Sequence, residues 1–318
     1  MDVHIEIIPA AMRKLPFLLF LLAGCALPPA VPGGAAMPSE AAIVPLQSQR
    51  PLVALALGSG GARGFAHVGV IKALEDAGIE PDIVTGSSSG AIVAALYAGG
   101  RRARELEEIA LALGKTELVD FAWFGKGWVR GEALQGFVNR MVDERPIERL
   151  AKPFAVVATQ ASSGRMTVFN RGDTGLAVRA SASVPNLFVS PVINGEEYVD
   201  GGLTSPVPVR LARAMGADVV IAVDVSWFAQ ARRAPGDGMA RYGRGGRFQL
   251  WMEEIDAADA VIVPLMERTR MLDFDSKEAS IAAGEEAGRK AVRQLRETIA
   301  RVAAAKQARL TASAAQGK

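Results

Sequence analysis

Short apolar runs alternating with helix-period segments predict an α/β domain of three layers, α/β/α, with a mainly parallel central sheet. Residues 52–57, 154–159 and 219–225 are almost unbroken apolar stretches. Runs of that length and composition suit strands covered on both faces, as in a parallel sheet between two helix layers. Two strand-to-helix joints, 58–64 and 86–90, are rich in glycine. In a doubly wound sheet both joints leave the carboxyl ends of strands and so share one edge of the molecule.

The chain opens on a targeting segment, residues 1–24. Arg13 and Lys14 precede an apolar run, 15–22, too short to span a bilayer, which ends in Leu22-Ala23-Gly24-Cys25. Asp2 and Glu6 suit the charged start of such a segment poorly, so Met12 is the expected start. The stretch resembles a bacterial lipoprotein signal with its lipobox. That resemblance implies cleavage before Cys25 and acylation of its thiol, with anchoring in the membrane. With Ala26 next, it points to the outer membrane, facing the periplasm, in a Gram-negative source. An ordinary signal peptide with an incidental cysteine is the alternative. Residues 25–50 carry seven prolines and glycines between Pro28 and Pro45 and read as a tether. The folded domain is expected over 51–310, with 311–318 as a basic tail.

Within the domain, strand 52–57 leads through Gly58-Ser59-Gly60-Gly61-Ala62-Arg63-Gly64 into a helix that ends near Ala77, at Gly78. Residues 82–85 read as a second strand and 91–98 as a helix stopped by Gly99-Gly100. A charged helix over 101–114 carries an apolar stripe of Leu106, Ile109 and Leu113. Phe121, Trp123, Phe124 and Trp128 follow, packed as core or set beside the site as a lipid-binding loop or lid. A helix over 131–142, strands over 154–159 and 166–169, and a short strand ending at Asp200 come next. A helix over 207–215 and strands over 219–225 and 260–264 complete the alternation. Residues 227–251 interleave arginines with Phe228, Tyr242, Phe248 and glycines, and read as a disordered insertion or a loop touching anionic lipid. The last helix starts near Glu285, with Val292, Leu295, Ile299 and Val302 on one face.

The chemistry centres on Gly86-Ser87-Ser88-Ser89-Gly90. With 33 glycines in the chain, a GxSxG pattern alone is weak; a strand before it and a helix after it make a nucleophile elbow. Gly86 and Gly90 leave room for the sharp turn that holds Ser88, and the following helix N-terminus favours an oxyanion. The earlier glycine loop can present N–H groups either to a dinucleotide pyrophosphate or to an acyl oxyanion. Arg63 occupies the third glycine position of a GxGxxG count and no acidic residue ends the second strand, which disfavours the dinucleotide.

GxSxG suggests a Ser, Asp, His chain order, but no histidine follows Ser88. His67 precedes it, on the helix after the glycine loop, and reads as a packed or capping residue. The proton acceptor must then be something else, and Asp200, delivered by a strand onto Gly201-Gly202, is the best candidate. A carboxylate accepts a serine proton only where burial raises its pKa and donors hold the developing oxyanion.

The glycine loop, the GxSxG turn, the segment from Arg179-Ala180-Ser181 to Pro185, and Asp200-Gly201-Gly202 together resemble the patatin-like phospholipases, in the bacterial and neuropathy-target-esterase-like branch. The resemblance covers roughly 52–225. It implies the patatin fold, a Ser88–Asp200 dyad, and an oxyanion hole from Gly60, Gly61, Ala62 and Arg63. It also implies metal-independent chemistry without a cofactor, and acyl esters such as phospholipids or lysophospholipids as substrates. Ser59 stands where a glycine is usual and Ser205 where an asparagine often follows; neither removes a catalytic atom. A non-catalytic binding scaffold on the same fold is the alternative.

Bulk composition excludes little more. Lysine plus arginine number 36 against 34 acidic residues, so no global charge calls for nucleic acid. The single cysteine, Cys25, and two histidines, His4 and His67, exclude an internal disulfide and leave little for a metal.

Overall fold

The computed structural model describes residues 35–114, 120, 128–226, 228–229, 246–266 and 274–316. Cys25 with its signal, Phe121, Trp123, Phe124 and the arginines between 230 and 245 lie outside them.

Eight strands form one sheet: β1 (Val53–Leu57), β2 (Ile83–Ser87), β3 (Phe154–Gln160), β4 (Met166–Phe169), β5 (Val192–Ile193), β6 (Glu196–Val199), β7 (Val219–Val223) and β8 (Ala260–Ile262). Five of them lie parallel in the order β3-β2-β1-β7-β8. The chain winds outward from β1 through β2 to β3, then returns to the other side of β1. Ligands of doubly wound sheets bind at this reversal, outside the carboxyl ends of the strands. Leu57 at the end of β1 pairs with Gly86 on one side and Val223 on the other. The glycine loop, the Ser88 turn and the end of β7 therefore emerge side by side.

Side-chain alternation along β1 and β7 builds the two outer layers. Val53, Leu55, Leu57, Val219, Ile221 and Val223 enter one core. Helices α1 (Ala66–Asp76), α2 (Ser89–Ala98), α3 (Ala103–Ala112), α4 (Glu132–Met141) and α5 (Thr174–Ser181) cover it, with the 40-residue α8 (Lys277–Gln316). Ala54, Ala56, Val220 and Ala222 face the opposite core, closed by α6 (Val209–Ala214) and α7 (Gly246–Asp256). The strands are thus covered on both faces, which is why they read as continuous apolar runs.

Helix α8 starts eight residues before the expected Glu285 and runs on through the segment read as a basic tail, so residue 310 is no structural boundary. It presses on α1 through glycine. A Cβ on Gly284 would strike the Ala66 carbonyl, and one on Gly69 the Ile281 carbonyl. Leu295 is fully buried, and Val292, Ile299 and Val302 pack beside it, the stripe expected from periodicity.

The tether reading fails over its described part. Residues 35–50 lie along the domain: Ser39 bridges Arg171, the Ala41 N–H donates to Asn170 Oδ1 at 2.8 Å, and the Leu46 N–H donates to the Met215 carbonyl at 2.9 Å. Proline and glycine there set an extended path that borrows its hydrogen bonds from the domain surface. Among the described residues no helix is long and apolar enough to cross a membrane.

Candidate active site

Two strands running toward each other along one edge of β3 bring the candidate residues together. β4 pairs with 156–159 of β3 on one edge. On the other edge β2 pairs with 154–157 in parallel and β6 with 159–160 in antiparallel sense. β2 therefore ends at Ser87 opposite Val157, and β6 ends at Val199 opposite Thr159. The next residues, Ser88 and Asp200, face each other across the gap opposite Ala158.

There the Ser88 Oγ donates to Asp200 Oδ2 at 2.6 Å, with both residues buried, 6% and 7% exposed. Ser88 sits at φ 54°, ψ −124°, a backbone region that costs a non-glycine residue about 1–3 kcal/mol. Its neighbours enforce the turn. A Cβ on Gly86 would lie 2.5 Å from Ala91 Cα, and one on Gly90 would strike the Leu57 carbonyl. Ser181, at the end of α5, accepts the Ser88 N–H at 2.8 Å. That hydroxyl, named from sequence only within the Arg179–Pro185 segment and with no role of its own, fixes the strained peptide.

Asp200 is held on every side. Its N–H donates to the Ser183 carbonyl at 2.9 Å, and its carbonyl accepts the Thr159 hydroxyl at 2.9 Å. Carboxylate Oδ1 accepts the Gly202 N–H at 2.7 Å, leaving Oδ2 for Ser88. Burial pushes the carboxyl up to about 6, opposed by the hydrogen bonds from Ser88 and Gly202 and by the Arg247 guanidinium. A group balanced there is an anion at neutral pH yet basic enough to take a proton.

The glycine loop lies against the elbow. Gly61 adopts φ +61° and opens a 3₁₀ turn, Gly61–Phe65; Gly64 packs on Ser89 and Gly90 packs on Gly58. In an i→i+3 turn opening at Gly61 the N–H groups of Gly60, Gly61 and Ala62 precede the first bond of the turn, and among the described residues none of the three donates a hydrogen bond elsewhere. The Arg63 guanidinium anchors the loop, donating from Nε to the Val225 carbonyl at 2.8 Å and drawn to Asp224. His67 is fully buried with Nε2 2.8 Å from the Gly58 carbonyl, and burial lowers its pKa to about 4. It is a neutral prop behind the loop, a packed residue as its position suggested.

Of 227–251 only 228–229 and 246–251 are described, and there the loop reading needs correction. Gly246–Asp256 is a helix, and Phe228, Phe248 and Trp251 pack on one another with ring centroids 5.4–6.0 Å apart. These rings are spent on the core rather than offered to a lipid surface. Trp251 Nε1 donates to the buried Asp224 at 2.6 Å. Buried Glu254 accepts from the Ser205 hydroxyl at 2.7 Å and the Arg210 N–H at 2.8 Å. Arg247 reaches the Gly202 carbonyl at 3.4 Å. Helix α7 is thereby tied to the chain just after Asp200. Both departures noted from sequence touch this region: Ser205 binds Glu254, and Ser59 faces Gly202, where a Cβ would lie 2.7 Å from its Oγ. Trp128, by contrast, is 70% exposed.

The chain is similar to known proteins. The chain is 38% identical over 196 residues to an uncharacterized NTE family protein of Mycobacterium tuberculosis, covering 60% of this chain and 53% of that protein. It is 34% identical over 224 residues to the human patatin-like phospholipase domain-containing protein 6, covering 67% of this chain and 16% of that protein. The chain thus spans about half the length of the first relative and about a sixth of the second. Among solved structures, VipD from Legionella pneumophila superposes with a TM-score of 0.54 over 78% of this chain and 67% of that one, at 14% identity, a likeness of fold. A model of the patatin-like phospholipases matches residues 55–213, from β1 through α6 and across both halves of the Ser88–Asp200 pair. With half of its length matched by that model, and relatives 38% and 34% identical to it, the chain belongs to the patatin-like phospholipase family.

Proposed function

We propose that the protein is a serine acyl hydrolase of lipid esters, of the phospholipase A or lysophospholipase type. The observation that carries this is the 2.6 Å bond from a buried serine at positive φ to a buried carboxylate, beside a glycine loop to which the reading assigns the oxyanion. Ser88 Oγ attacks the ester carbonyl carbon as Asp200 Oδ2 takes its proton. The Gly60, Gly61 and Ala62 N–H groups receive the oxyanion. Collapse of the tetrahedral intermediate breaks the ester bond, and Asp200 returns the proton to the departing alcohol. A water then attacks the acyl-Ser88 ester, giving its proton to Asp200, and release of the fatty acid restores the hydroxyl. Asp200 does the work a histidine does in a triad, because burial has moved its basicity toward neutrality.

Two variants test this. Ser88→Ala and Asp200→Asn should each lower turnover of a nitrophenyl ester and of lysophosphatidylcholine by at least about 10³-fold while keeping the fold by circular dichroism. Wild-type turnover in either variant overturns the dyad.

Membrane attachment is part of the same reading. Acylated Cys25 would hold the domain at the periplasmic face of the outer membrane, where its substrates lie. Metabolic labelling with a radioactive fatty acid should mark the wild-type chain and leave a Cys25→Ala variant unmarked. Equal labelling of both refutes the anchor.

A further inference from the structure

We propose that Arg247, in the first turn of α7, is a positioning residue that keeps Asp200 ionised as the proton acceptor. This rests on the Ser88–Asp200 reading above. Arg247 comes from a segment more than 40 residues beyond Asp200, outside the span that resembles the family, yet Nη2 lies 3.4 Å from the Gly202 carbonyl. Gly202 is the residue whose N–H binds Asp200 Oδ1. The guanidinium thus borders the peptide that holds the base, and it lies over the Phe228 ring, 6.0 Å from the centroid, which fixes its direction. Beneath it, Trp251 and Glu254 pin the helix through Asp224, Ser205 and the Arg210 N–H.

Among the described residues, the surroundings of Asp200 offer no other charge. The elbow presents the Ser88 hydroxyl, β3 the Thr159 hydroxyl, the end of α5 the Ser183 carbonyl, and the turn itself the Gly202 N–H. Arg63 and Asp224, behind the glycine loop, act on each other. Glu254 is occupied by Ser205 and Arg210, and His67 is neutral and bound to the Gly58 carbonyl. Among the described residues Arg247 is the one cation whose field lowers the Asp200 carboxyl, against the burial that raises it. A carboxylate taken out of water with two hydrogen bonds is left short of compensation, and a nearby guanidinium supplies it without taking either oxygen from Ser88 or Gly202.

The sign follows directly. The active form needs Asp200 as an anion, so activity falls as pH drops through its pKa, and removing Arg247 moves that acid limb upward. The test is the pH profile of kcat/KM for a neutral nitrophenyl ester, measured on wild type, Arg247→Gln and Arg247→Lys. Wild type should show its acid limb near pH 6. Arg247→Gln should move it up by about half a pH unit. The deficit against wild type would then be about threefold at pH 5.5 and vanish by pH 8. Arg247→Lys should restore most of the shift while losing the planar stacking. A pH-independent loss in Arg247→Gln overturns the proposal in favour of a packing role. An unchanged limb on the neutral ester, with KM raised only for anionic phospholipid, overturns it in favour of a headgroup contact. Inactivity of Ser88→Ala and Asp200→Asn alongside an unmoved limb would refute Arg247's role alone; full activity of those two would refute the dyad.

Discussion

Asp200→Asn should make the protein more stable as it makes it inactive. The native site holds the carboxyl at about 6, against an ordinary 3.8. At about 1.4 kcal/mol per pH unit, a carboxylate ionised in both states at neutral pH is disfavoured in the native fold by about 3 kcal/mol. The sign is that of a raised pKa. The cost is absent below the unfolded value, grows between about pH 4 and pH 6, and is complete above pH 7. An asparagine carries no charge to bury, and its Oδ1 can still accept the Gly202 N–H. Weaker acceptance from Ser88 returns some of the gain, leaving about 1–2 kcal/mol. For a domain of this size that is a rise in melting midpoint of about 2–3 °C. Thermal melts of wild type and Asp200→Asn at pH 4, 5, 6, 7 and 8 should coincide at pH 4 and separate progressively to pH 7. A variant that melts below wild type at pH 8, or a difference independent of pH, would refute the claim that the native site works against the carboxylate.

Three further substitutions probe the frame around the pair. Ser181→Ala leaves the Ser88 N–H without its acceptor; kcat should fall about tenfold, with about 1–2 kcal/mol lost in urea denaturation, and wild-type kinetics would show that the bond does not hold the elbow. Trp251→Phe keeps an aromatic ring in the core but strips Asp224 of its 2.6 Å donor and leaves a small cavity, at a cost of about 1–3 kcal/mol or more, so an unchanged denaturation midpoint would remove α7's polar anchor from the account. Gly284→Val places a branched side chain against the Ala66 backbone, and should cost about 3 kcal/mol or more; a melt equal to wild type would mean that α8 and α1 do not pack so closely in solution.

The core of this fold was legible because its chemistry is local. Strands such as β1 and β7 carry apolar side chains on both faces, so their burial is written into consecutive residues. The elbow was legible for a mechanical reason: Gly86 and Gly90 stand where a side chain would collide with backbone. Asp200 followed by elimination, since no histidine lies after Ser88. What sequence did not reveal is long-range. The Ser181 hydroxyl meets the Ser88 N–H across 93 positions, and a serine among alanines carries no local mark of that partner. Helix α7 begins beside a glycine- and arginine-rich stretch, so Arg247 and Trp251 read as part of an irregular 227–251 segment until the fold set them against Gly202 and Asp224, and Glu254, just beyond it, carried no local mark of its bond to Ser205. Residues 35–50 have tether composition, yet they find hydrogen-bond partners along the domain surface, at Asn170 and Arg171 and at Met215, that no local pattern announces.

The central claim, that Ser88 is a nucleophile activated by Asp200, is tested most directly by covalent trapping. A fluorophosphonate incubated with the full chain should form one adduct, mapped by mass spectrometry to the peptide containing Ser88. Labelling should proceed in step with loss of esterase activity, much more slowly in Asp200→Asn and not at all in Ser88→Ala. An adduct on another serine, or full esterase activity in a chain labelled at Ser88, would contradict it.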